Sequence, residues 1–380
     1  SLRRRQRQMC IRDRHTHSSD WFRHGHHSDK TYDSVILHVV SEADTEITRS
    51  NGEQIPQLLL TCPENVQLHY HELCVADQYP ACYPILASLP KLTIHSWLIA
   101  LQTERLEQKA QLITQRLALC NSNWEDAFFI TLARNFGFGL NGDAFETWAG
   151  LLPFRAMDKH RNDLFQIEAF FYGLAGLLEE TFLKKEQEDE YSLRLCKEFR
   201  YLQWKFEIGQ GMDATLWRFL RLRPENFPHI RLAQLAYLYQ KGDKLFSRLL
   251  EAETLADVRT LLDARTSPYW ENHYLFGRLS SQKEKAMGER SKYLIIINTV
   301  VPFLYTYGLH KADERMCERA GRFLEELKAE SNHIIRSWSD AGLPVVSAAD
   351  SQALIQLQKE YCDKRKCLYC RFGYEYLKHT

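Results

Sequence analysis

The sequence has no excess of charge of either sign, and it lacks several of the short motifs that identify an enzyme class. Lysine and arginine together number 49, as do aspartate and glutamate, so the formal net charge is zero. The sequence therefore does not predict a broad positively charged surface for DNA binding, although a local basic groove is compatible with zero net charge. P-loop, Gly-x-Ser-x-Gly and His-Glu-x-x-His motifs are missing. Nucleotide, serine-hydrolase and zincin classes therefore have no motif support.

The sequence also lacks a long uninterrupted apolar run and a disulfide framework. The longest apolar run, Tyr293 to Leu309, contains Asn298, Thr299 and Pro302, and it is shorter than the ~20 residues that span a bilayer. We expect it to form a buried core helix and expect no membrane association. Ten scattered cysteines in 380 residues are not typical of a small secreted scaffold, which favours a reducing, cytoplasmic location.

The N-terminal segment shows neither an apolar signal core nor a helical pattern. Five of its arginines lie in the stretch RRQRQMCIRDR, residues 4–14. The run from Arg4 to Asp13 resembles one reading frame of the transposase adapter used in sequencing-library preparation. We therefore predict that residues 1–14 are an adapter artefact, to be excluded from fold reasoning. On this interpretation the native chain begins near His15 and is truncated at its N-terminus.

The remaining chain predicts an α+β protein that is mainly α-helical. Residues 34–60 are typical of strands, because SVILHVV (34–40) is β-branched and Asn51-Gly52 is a strong hairpin signal. Residues 61–95 are predicted to be irregular because of their spaced prolines. From Ser96 the apolar residues recur with a helical period, as at Trp97, Leu101, Ala110, Ile113 and Leu117. We predict a truncated α/β domain at 15–95 and a large α-helical domain at 96–380.

A histidine-rich segment opens the predicted α/β domain. It contains His15, His17, His24, His26, His27 and His38, together with Asp20, Asp29 and Asp33. Imidazole and carboxylate groups together suit a divalent metal or a proton-transfer site. The spacing matches no standard zinc pattern, so a solvated polar loop is the alternative interpretation.

Several longer blocks carry a resemblance to a known family. They are SSDWFRHGHHSDKTYDSVILHVV, LARNFGFGLN, LWRFLRLRPENFPHIRLAQLA, IINTVVPFLYTYG and DSQALIQLQKEYCDKRKCLYCRFG. These blocks resemble the uncharacterised bacterial domain-of-unknown-function family 2851, which is common in Bacteroidetes. The resemblance covers nearly all of residues 15–380. It implies a segment upstream of His15 with a Gly-Pro-Asp stretch and a strand of the type Val-Glu-x-His.

That arrangement is similar to the PD-(D/E)XK, restriction-endonuclease-like nuclease fold. The similarity implies an Asp and a Glu that hold Mg²⁺ or Mn²⁺, and a Lys two residues after the Glu that acts on the attacking water. Residues two apart on a strand point to the same face, and in this chain His15 occupies the Lys position. Asp13, in the predicted adapter, stands where the Glu is expected. We predict His15, His17 and Asp20 as catalytic residues, and we expect the chain to be inactive in this truncated form.

The C-terminal stretch CDKRKCLYC predicts a second metal site. Cys362, Cys367 and Cys370 have Cys-x4-Cys-x2-Cys spacing, which is known from iron–sulfur sites with a fourth cysteine elsewhere. Zinc is equally compatible. Lys364, Arg365 and Lys366 are expected to lower the pKa of these thiols. The predicted fourth ligand is Cys317, with His310, His333 and His379 as alternatives, and cysteines that bind no metal on a terminal turn are the other interpretation.

An arginine-rich stretch, residues 217–236, is the candidate nucleic-acid contact. Arg218, Arg221, Arg223 and Arg231 alternate with aromatic residues, a combination that can bind phosphates and stack on bases of DNA or RNA. The alternative is a helix hairpin whose arginine stems cover apolar surface. The predicted function is metal-dependent, nuclease-like processing of nucleic acid. A non-catalytic helical scaffold for a protein partner, with a structural cysteine site, remains the alternative.

Overall fold

The computed structural model describes residues 14–77, 80–180, 182–183, 188–242 and 244–378. The chain divides into two compact units. The first, called here the sheet unit, comprises residues 1–89 and 359–380, and the second, the helical unit, comprises residues 90–358. The division falls near the predicted boundary at 95, but it assigns the cysteine-rich C-terminal segment to the sheet unit instead of the helical domain. Of the predicted adapter segment, only Arg14 lies within the described residues.

The sheet unit is built on three parallel strands in the order β1-β2-β3. They are β1 (Arg14–His17), β2 (His38–Glu42) and β3 (Gln57–Leu59). His15 is paired with Val40, and Val40 with Leu59. The predicted strand at 34–40 begins only at His38, because Val35 still lies in a turn in which its N–H donates to the Tyr32 carbonyl.

The predicted hairpin forms around Asn51-Gly52 as a short turn. Thr48 and Gln54 form an isolated antiparallel bridge, and Gly52 has a φ of 85°. That left-handed conformation is the one that glycine adopts without strain.

Four helices complete the sheet unit within its described residues. They are α1 (Asp20–Arg23), α2 (Glu64–Val75), α3 (Tyr83–Leu86) and α19 (Arg371–Lys378). The prediction that residues 61–95 are irregular is wrong for α2, for α3 and for residues 91–95, which are also helical. Only Leu73 of α2 is buried, so its sequence carries no apolar period, and Pro63 stands just before its first turn, where a proline is tolerated.

The helical unit contains the remaining helices. In chain order they are α4 (Lys91–Leu119), α5 (Trp124–Phe136), α6 (Gly142–Gly150), α7 (Phe154–Asp158), α8 (Leu164–Leu174), α9 (Glu190–Phe206), α10 (Pro228–Lys241), α11 (Leu245–Glu251), α12 (Leu255–Leu261), α13 (Pro268–Glu271), α14 (Glu289–Ile295), α15 (Val301–Lys311), α16 (Glu314–Glu326), α17 (His333–Asp340) and α18 (Ala348–Gln356). A two-stranded ribbon, β4 (His273–Leu275) with β5 (Arg278–Leu279), lies among them. The chain is 61% helix and 6% strand, which confirms the mainly helical α+β prediction.

Helix boundaries in this unit follow local capping chemistry. The helices α11 and α12 are separate, because Thr254 and Asp257 form a reciprocal capping box that starts a new helix. Two π-helical turns, Ile296–Val300 and Leu357–Cys362, continue α14 into α15 and extend α18.

The predicted core helix lies in the long apolar run. By length and composition alone, Glu289–Lys311 could cross a membrane, but 61% of its most apolar window is buried inside the protein. Val301, Phe303 and Leu304 are fully buried and belong to the main hydrophobic core. Burial in that core supports the interpretation of a core helix.

Candidate functional site

Three histidines of the sheet unit converge on one point. The ligand nitrogens of His15, His24 and His26 all lie within 4.8 Å of one another. His15 Nε2 is 3.1 Å from His24 Nδ1, and His15 Nδ1 is 2.8 Å from Nε2 of His38. His24 is exposed, His15 and His26 are half-buried, and His38 is fully buried. The group is therefore open to solvent on one side and supported from within on the other.

Local backbone structure explains this convergence. His15 lies on β1 and His38 on the neighbouring β2, in a register that places both on one face of the sheet. His24 ends the short helix α1, and His26 begins the next 3₁₀ turn. Gly25 between them has a φ of 78°, and this left-handed residue reverses the chain so that both histidines meet His15.

A small core beneath the loop fixes the histidine rings. Trp21 is fully buried and packs with Val35, Ile47 and Ile55. Its indole N–H donates to the Thr48 carbonyl at 3.0 Å, and its ring lies 5.3 Å from the rings of both His26 and His38.

His17 and Asp20, which the sequence predicts as catalytic, lie beside this group without joining it. His17 Nε2 is 3.3 Å from a carboxylate oxygen of Glu42 on β2. Asp20 pairs with Arg23 at 2.5 Å and accepts from the His17 backbone N–H at 3.4 Å. Asp20 therefore holds the turn after β1. Asp13 lies outside the described residues.

The other polar residues of the segment have local structural roles. Hydrogen bonds from Thr31 lower the pKa of Asp29, and hydrogen bonds from Ser50 lower the pKa of Asp33. His27 is exposed, and its ring lies 5.2 Å from that of Phe22. Among the described residues, the candidate donor set is therefore composed of imidazoles without a carboxylate.

The C-terminal cysteines form a second candidate site in the sheet unit. Cys362, Cys367 and Cys370 line one small cavity, and Cys82, which the sequence analysis did not select, lines it as well. Burial raises the pKa of Cys367 even though Arg365 acts in the lowering direction. The predicted net lowering by the basic residues is therefore wrong for this thiol, because desolvation outweighs the nearby charge.

The predicted fourth ligands belong to the helical unit or lie outside the described residues. Cys317 belongs to α16 of the helical unit, where its thiol donates to the Tyr305 carbonyl at 3.7 Å. His310 Nε2 is 3.2 Å from the Thr114 hydroxyl, and His333 is an exposed residue at the start of α17. His379 lies outside the described residues. Cys82 is therefore the fourth cysteine that the cavity itself indicates.

The four predicted arginine contacts divide into two kinds. Arg218, Arg221 and Arg223 are exposed. Arg231 is 6% exposed and donates to Gln234 at 2.8 Å and to Asn226 at 2.5 Å. Burial lowers the pKa of Arg231 to about 10. Arg231 is thus a core residue, which corrects its prediction as a nucleic-acid contact.

The aromatic side chains of this stretch are also structural. Trp217 is buried, and its indole N–H donates to the Ala175 carbonyl at 2.8 Å. Phe219 and Phe227 are partly buried, with their rings 5.5 Å apart. Base stacking on Trp217 is therefore excluded in this conformation, and phosphate contact by the exposed arginines is what remains of the prediction.

Sequence reasoning missed a polar network around the π-helical turn Ile296–Val300. Lys109 Nζ donates to the side-chain oxygens of Asn298 at 3.0 Å and Gln352 at 2.8 Å, and the Asn135 amide donates to Thr299 at 2.8 Å. Three of the blocks that carry the family resemblance contribute to this network. The sequence shows only that polar residues stand within apolar helices. It does not show which other side chains they contact.

The sequence also contains a glycine spacing that is typical of dinucleotide-binding sites. Gly137, Gly139 and Gly142 have Gly-x-Gly-x-x-Gly spacing, but they lie at the junction of α5 and α6 instead of following a strand. The dinucleotide-binding pattern requires a strand before the first glycine. These glycines therefore form a tight helix-to-helix turn.

Comparison with known protein families gives a match over most of the chain. Residues 13–333 match the family model described as "Protein of unknown function (DUF2851)". No curated protein and no solved structure matches the chain significantly.

Proposed function

The chain belongs to the family of proteins of unknown function DUF2851, so its activity must be inferred from its own residues, and we propose that the sheet unit carries a metal-dependent hydrolytic site that cleaves phosphodiester bonds in nucleic acid. The observation that carries the proposal is the convergence of His15, His24 and His26 within 4.8 Å. Three imidazoles on one ion are a donor set that leaves a coordination position open for water or substrate. The partial exposure of the group provides access to that position.

The surrounding residues suit the support of such a site. His38 contacts Nδ1 of His15, which leaves Nε2 of His15 on the side of His24. A partner on the second ring nitrogen fixes the tautomer and orientation of a ligating histidine. Trp21 limits the movement of both His26 and His38 by ring contact. A bound ion would supply an activated water at neutral pH.

The described donor set favours an ion other than the one that the PD-(D/E)XK resemblance implies. Mg²⁺ and Mn²⁺ prefer carboxylate, carbonyl and water oxygens, whereas imidazole nitrogens suit zinc, iron, nickel or copper. The described residues therefore do not fit Mg²⁺ or Mn²⁺. The resemblance to the nuclease fold is supported only by the adjacent parallel strands and by the position of His15 on β1.

Nucleic acid as the substrate class is supported by the exposed arginines of the helical unit. Arg218, Arg221 and Arg223 retain exposed guanidinium groups, which bind phosphate in a bidentate manner. Phosphate contacts provide affinity without sequence specificity. A substrate with a repeated phosphodiester backbone fits this combination.

The test compares three histidine variants with a matched control in the full chain. His15→Gln, His24→Gln and His26→Gln each remove one donor, while His27→Gln changes an exposed neighbour that stands outside the group. Binding of Zn²⁺ and Mn²⁺ is measured by calorimetry, and cleavage is measured on single- and double-stranded DNA and on RNA. Cleavage is also measured with a variant in which residues 1–14 are exchanged for the corresponding segment of another family member.

We expect the three donor variants to lose metal affinity and to lower cleavage by a factor on the order of 100 or more, while His27→Gln retains both. Equal metal binding by all four variants would overturn the site. Metal binding without cleavage of any substrate would overturn the hydrolytic function and would favour the helical scaffold as the function.

A further inference from the structure

We propose that Cys82, Cys362, Cys367 and Cys370 form a four-thiolate metal site that fastens the C-terminal segment of the sheet unit to its N-terminal part. The site is independent of the proposed hydrolytic function, since it shares no residue with the histidine group. It differs from the site predicted from sequence in its fourth ligand, which is Cys82 in place of Cys317.

The first observation is a cavity that all four cysteines line. Its volume is about 20 Å³, and Leu73, Ala81 and Tyr361 are among its other lining residues. Cys82 is 8% exposed and Cys370 is 6% exposed. Four cysteines are the donor set of many closed structural zinc sites.

The second observation is the burial of these thiols. Cys82 and Cys370 are buried, and Cys362 and Cys367 are half-buried. A bound cation offsets the cost of burying a thiolate, because a coordinating thiol is deprotonated outright.

The third observation is that the backbone of the cysteine loop is already fixed. Arg365 has a φ of 51° and reverses the chain between Cys362 and Cys367. Its N–H donates to the Cys362 carbonyl at 3.0 Å, and its guanidinium donates to the Leu73 carbonyl at 3.1 Å. These bonds position the loop against α2 without the help of the thiols.

Close helix packing holds the other end of the loop. A Cβ at Gly373 would overlap the Cys367 carbonyl, so the absence of a side chain lets α19 lie directly on the turn that carries Cys367 and Cys370. The N–H of Cys370 donates to the Cys367 carbonyl at 3.2 Å. This short turn brings both thiols of the Cys-x2-Cys pair to the same side.

We assign a single ion of zinc type, because four cysteine thiolates around one tetrahedral ion are a common donor set of structural zinc sites. Among the described residues, only the histidine group has all its donor atoms within 4.8 Å, so binding requires the cysteine side chains to rotate inward to about 2.3 Å from the ion.

The experiment uses the full chain carrying His15→Gln and His24→Gln. Metal bound by the histidine group then does not add to the metal measured per chain. Zinc, iron and acid-labile sulfide are measured in the purified protein. Co²⁺ is then exchanged into the site, because thiolate-to-cobalt absorption reports the sulfur ligands. Cys82→Ser, Cys367→Ser and Cys370→Ser are compared with two controls, the exposed Cys62→Ser and the originally predicted ligand Cys317→Ser.

We expect about one zinc per chain, a four-sulfur cobalt spectrum, and loss of both in the three ligand variants but in neither control. If a serine variant does not fold, Cys82→His provides a replacement ligand and should restore zinc with a three-sulfur spectrum. Full zinc and an unchanged spectrum in Cys82→Ser would overturn the assignment of Cys82. Iron with sulfide in place of zinc would overturn the single-ion site, and absence of any metal would overturn the proposal.

Discussion

The two units use the same residue types in opposite ways. In the helical unit, His229 is fully buried among Tyr172, Trp270 and Phe276, and burial lowers its pKa to about 3. This isolated neutral imidazole is part of the core. In the sheet unit, the histidine group lies at the surface with its ring nitrogens directed at one another. Grouping and partial exposure, more than residue type, separate a candidate site from a structural histidine.

The hydrophobic clusters of the two units also differ. The helical unit buries large aromatic side chains such as Trp148, Phe171 and Phe303 in one continuous cluster. Around the histidine loop, the sheet unit has a cluster of Trp21, Val35, Ile47 and Ile55. Small cores commonly depend on metals or cross-links for stability. We therefore predict that metal bound at the proposed sites stabilises the sheet unit more than the helical unit.

The sharpest test of this difference pairs two fully buried tryptophans. Trp21→Ala and Trp148→Ala should each lower the free energy of unfolding of their unit by about 3–5 kcal/mol, since each removes a large core side chain. Only Trp21→Ala should also weaken metal binding at the histidines, because Trp21 contacts His26 and His38. Hydrogen exchange resolved by mass spectrometry measures the stability of each unit, and calorimetry measures metal affinity.

Trp21→Phe is the control for this pair, because it retains an aromatic ring in the loop core. It should keep most of the metal affinity. Equal loss of metal affinity in Trp21→Ala and Trp148→Ala would show that the histidine site depends on the whole molecule, and the contrast between the units would then be wrong.

The second test concerns a buried carboxyl group of the helical unit. Burial raises the pKa of Glu168 from 4.5 to about 7, although hydrogen bonds from Tyr191 and Ser267 act in the opposite direction. The folded protein thus retains a proton that the unfolded chain releases above about pH 4.5. Stability should therefore fall as the pH rises from about 4.5 to about 7, by roughly 3 kcal/mol.

Glu168→Gln should remove this pH dependence, because the amide stays neutral. Chemical unfolding at pH 4.5, 6 and 8 measures the effect, and the exposed Glu180→Gln serves as the control that keeps the wild-type slope. A Glu168→Gln variant with the same decline in stability between pH 4.5 and 7 would show that another group is responsible.

Much of the helical unit was predictable because its apolar residues repeat every three or four positions. Leu101, Ala110, Ile113 and Leu117 are buried on α4 as the period predicts. The opposite case is α2, which buries only Leu73 and was predicted to be irregular. A helix that buries only one side chain has no apolar face, so it leaves little trace in a hydrophobic pattern.

The candidate sites were predictable only in part for a related reason. The sequence indicated a histidine-rich segment, but which of its histidines meet depends on the strand register and on the conformation of Gly25. Cys82 escaped notice because it is distant in sequence from Cys362, and only the fold brings it to the cavity that the C-terminal cysteines line.

The third test separates the two kinds of arginine in the helical unit. Arg231→Met should lower the free energy of unfolding by about 1–3 kcal/mol, because it leaves the partners Asn226 and Gln234 without their donor. Replacing the exposed Arg218, Arg221 and Arg223 with alanine should change stability by less than about 0.5 kcal/mol. Chemical unfolding of the full chain measures both effects.

The same variants test the nucleic-acid interface. If the three exposed arginines contact phosphates, each alanine should reduce the salt dependence of DNA or RNA binding by about one unit of slope. Arg231→Met, measured in the folded state, should leave that slope unchanged. An unchanged slope in the triple variant would remove the arginine stretch from the proposed function.

The smallest expected effect compares two glycines of the sheet unit. Gly25 and Gly52 have φ values of 78° and 85°, and a Cβ at either would meet nothing within 4 Å. Alanine should therefore cost about 1–2 kcal/mol at both positions through left-handed backbone strain alone. Only Gly25 joins His24 to His26, so Gly25→Ala should also weaken metal binding, whereas Gly52→Ala should not. Equal metal affinity in the two variants would mean that the conformation of Gly25 does not set the histidine geometry, and the convergence would then depend on the packing of Trp21.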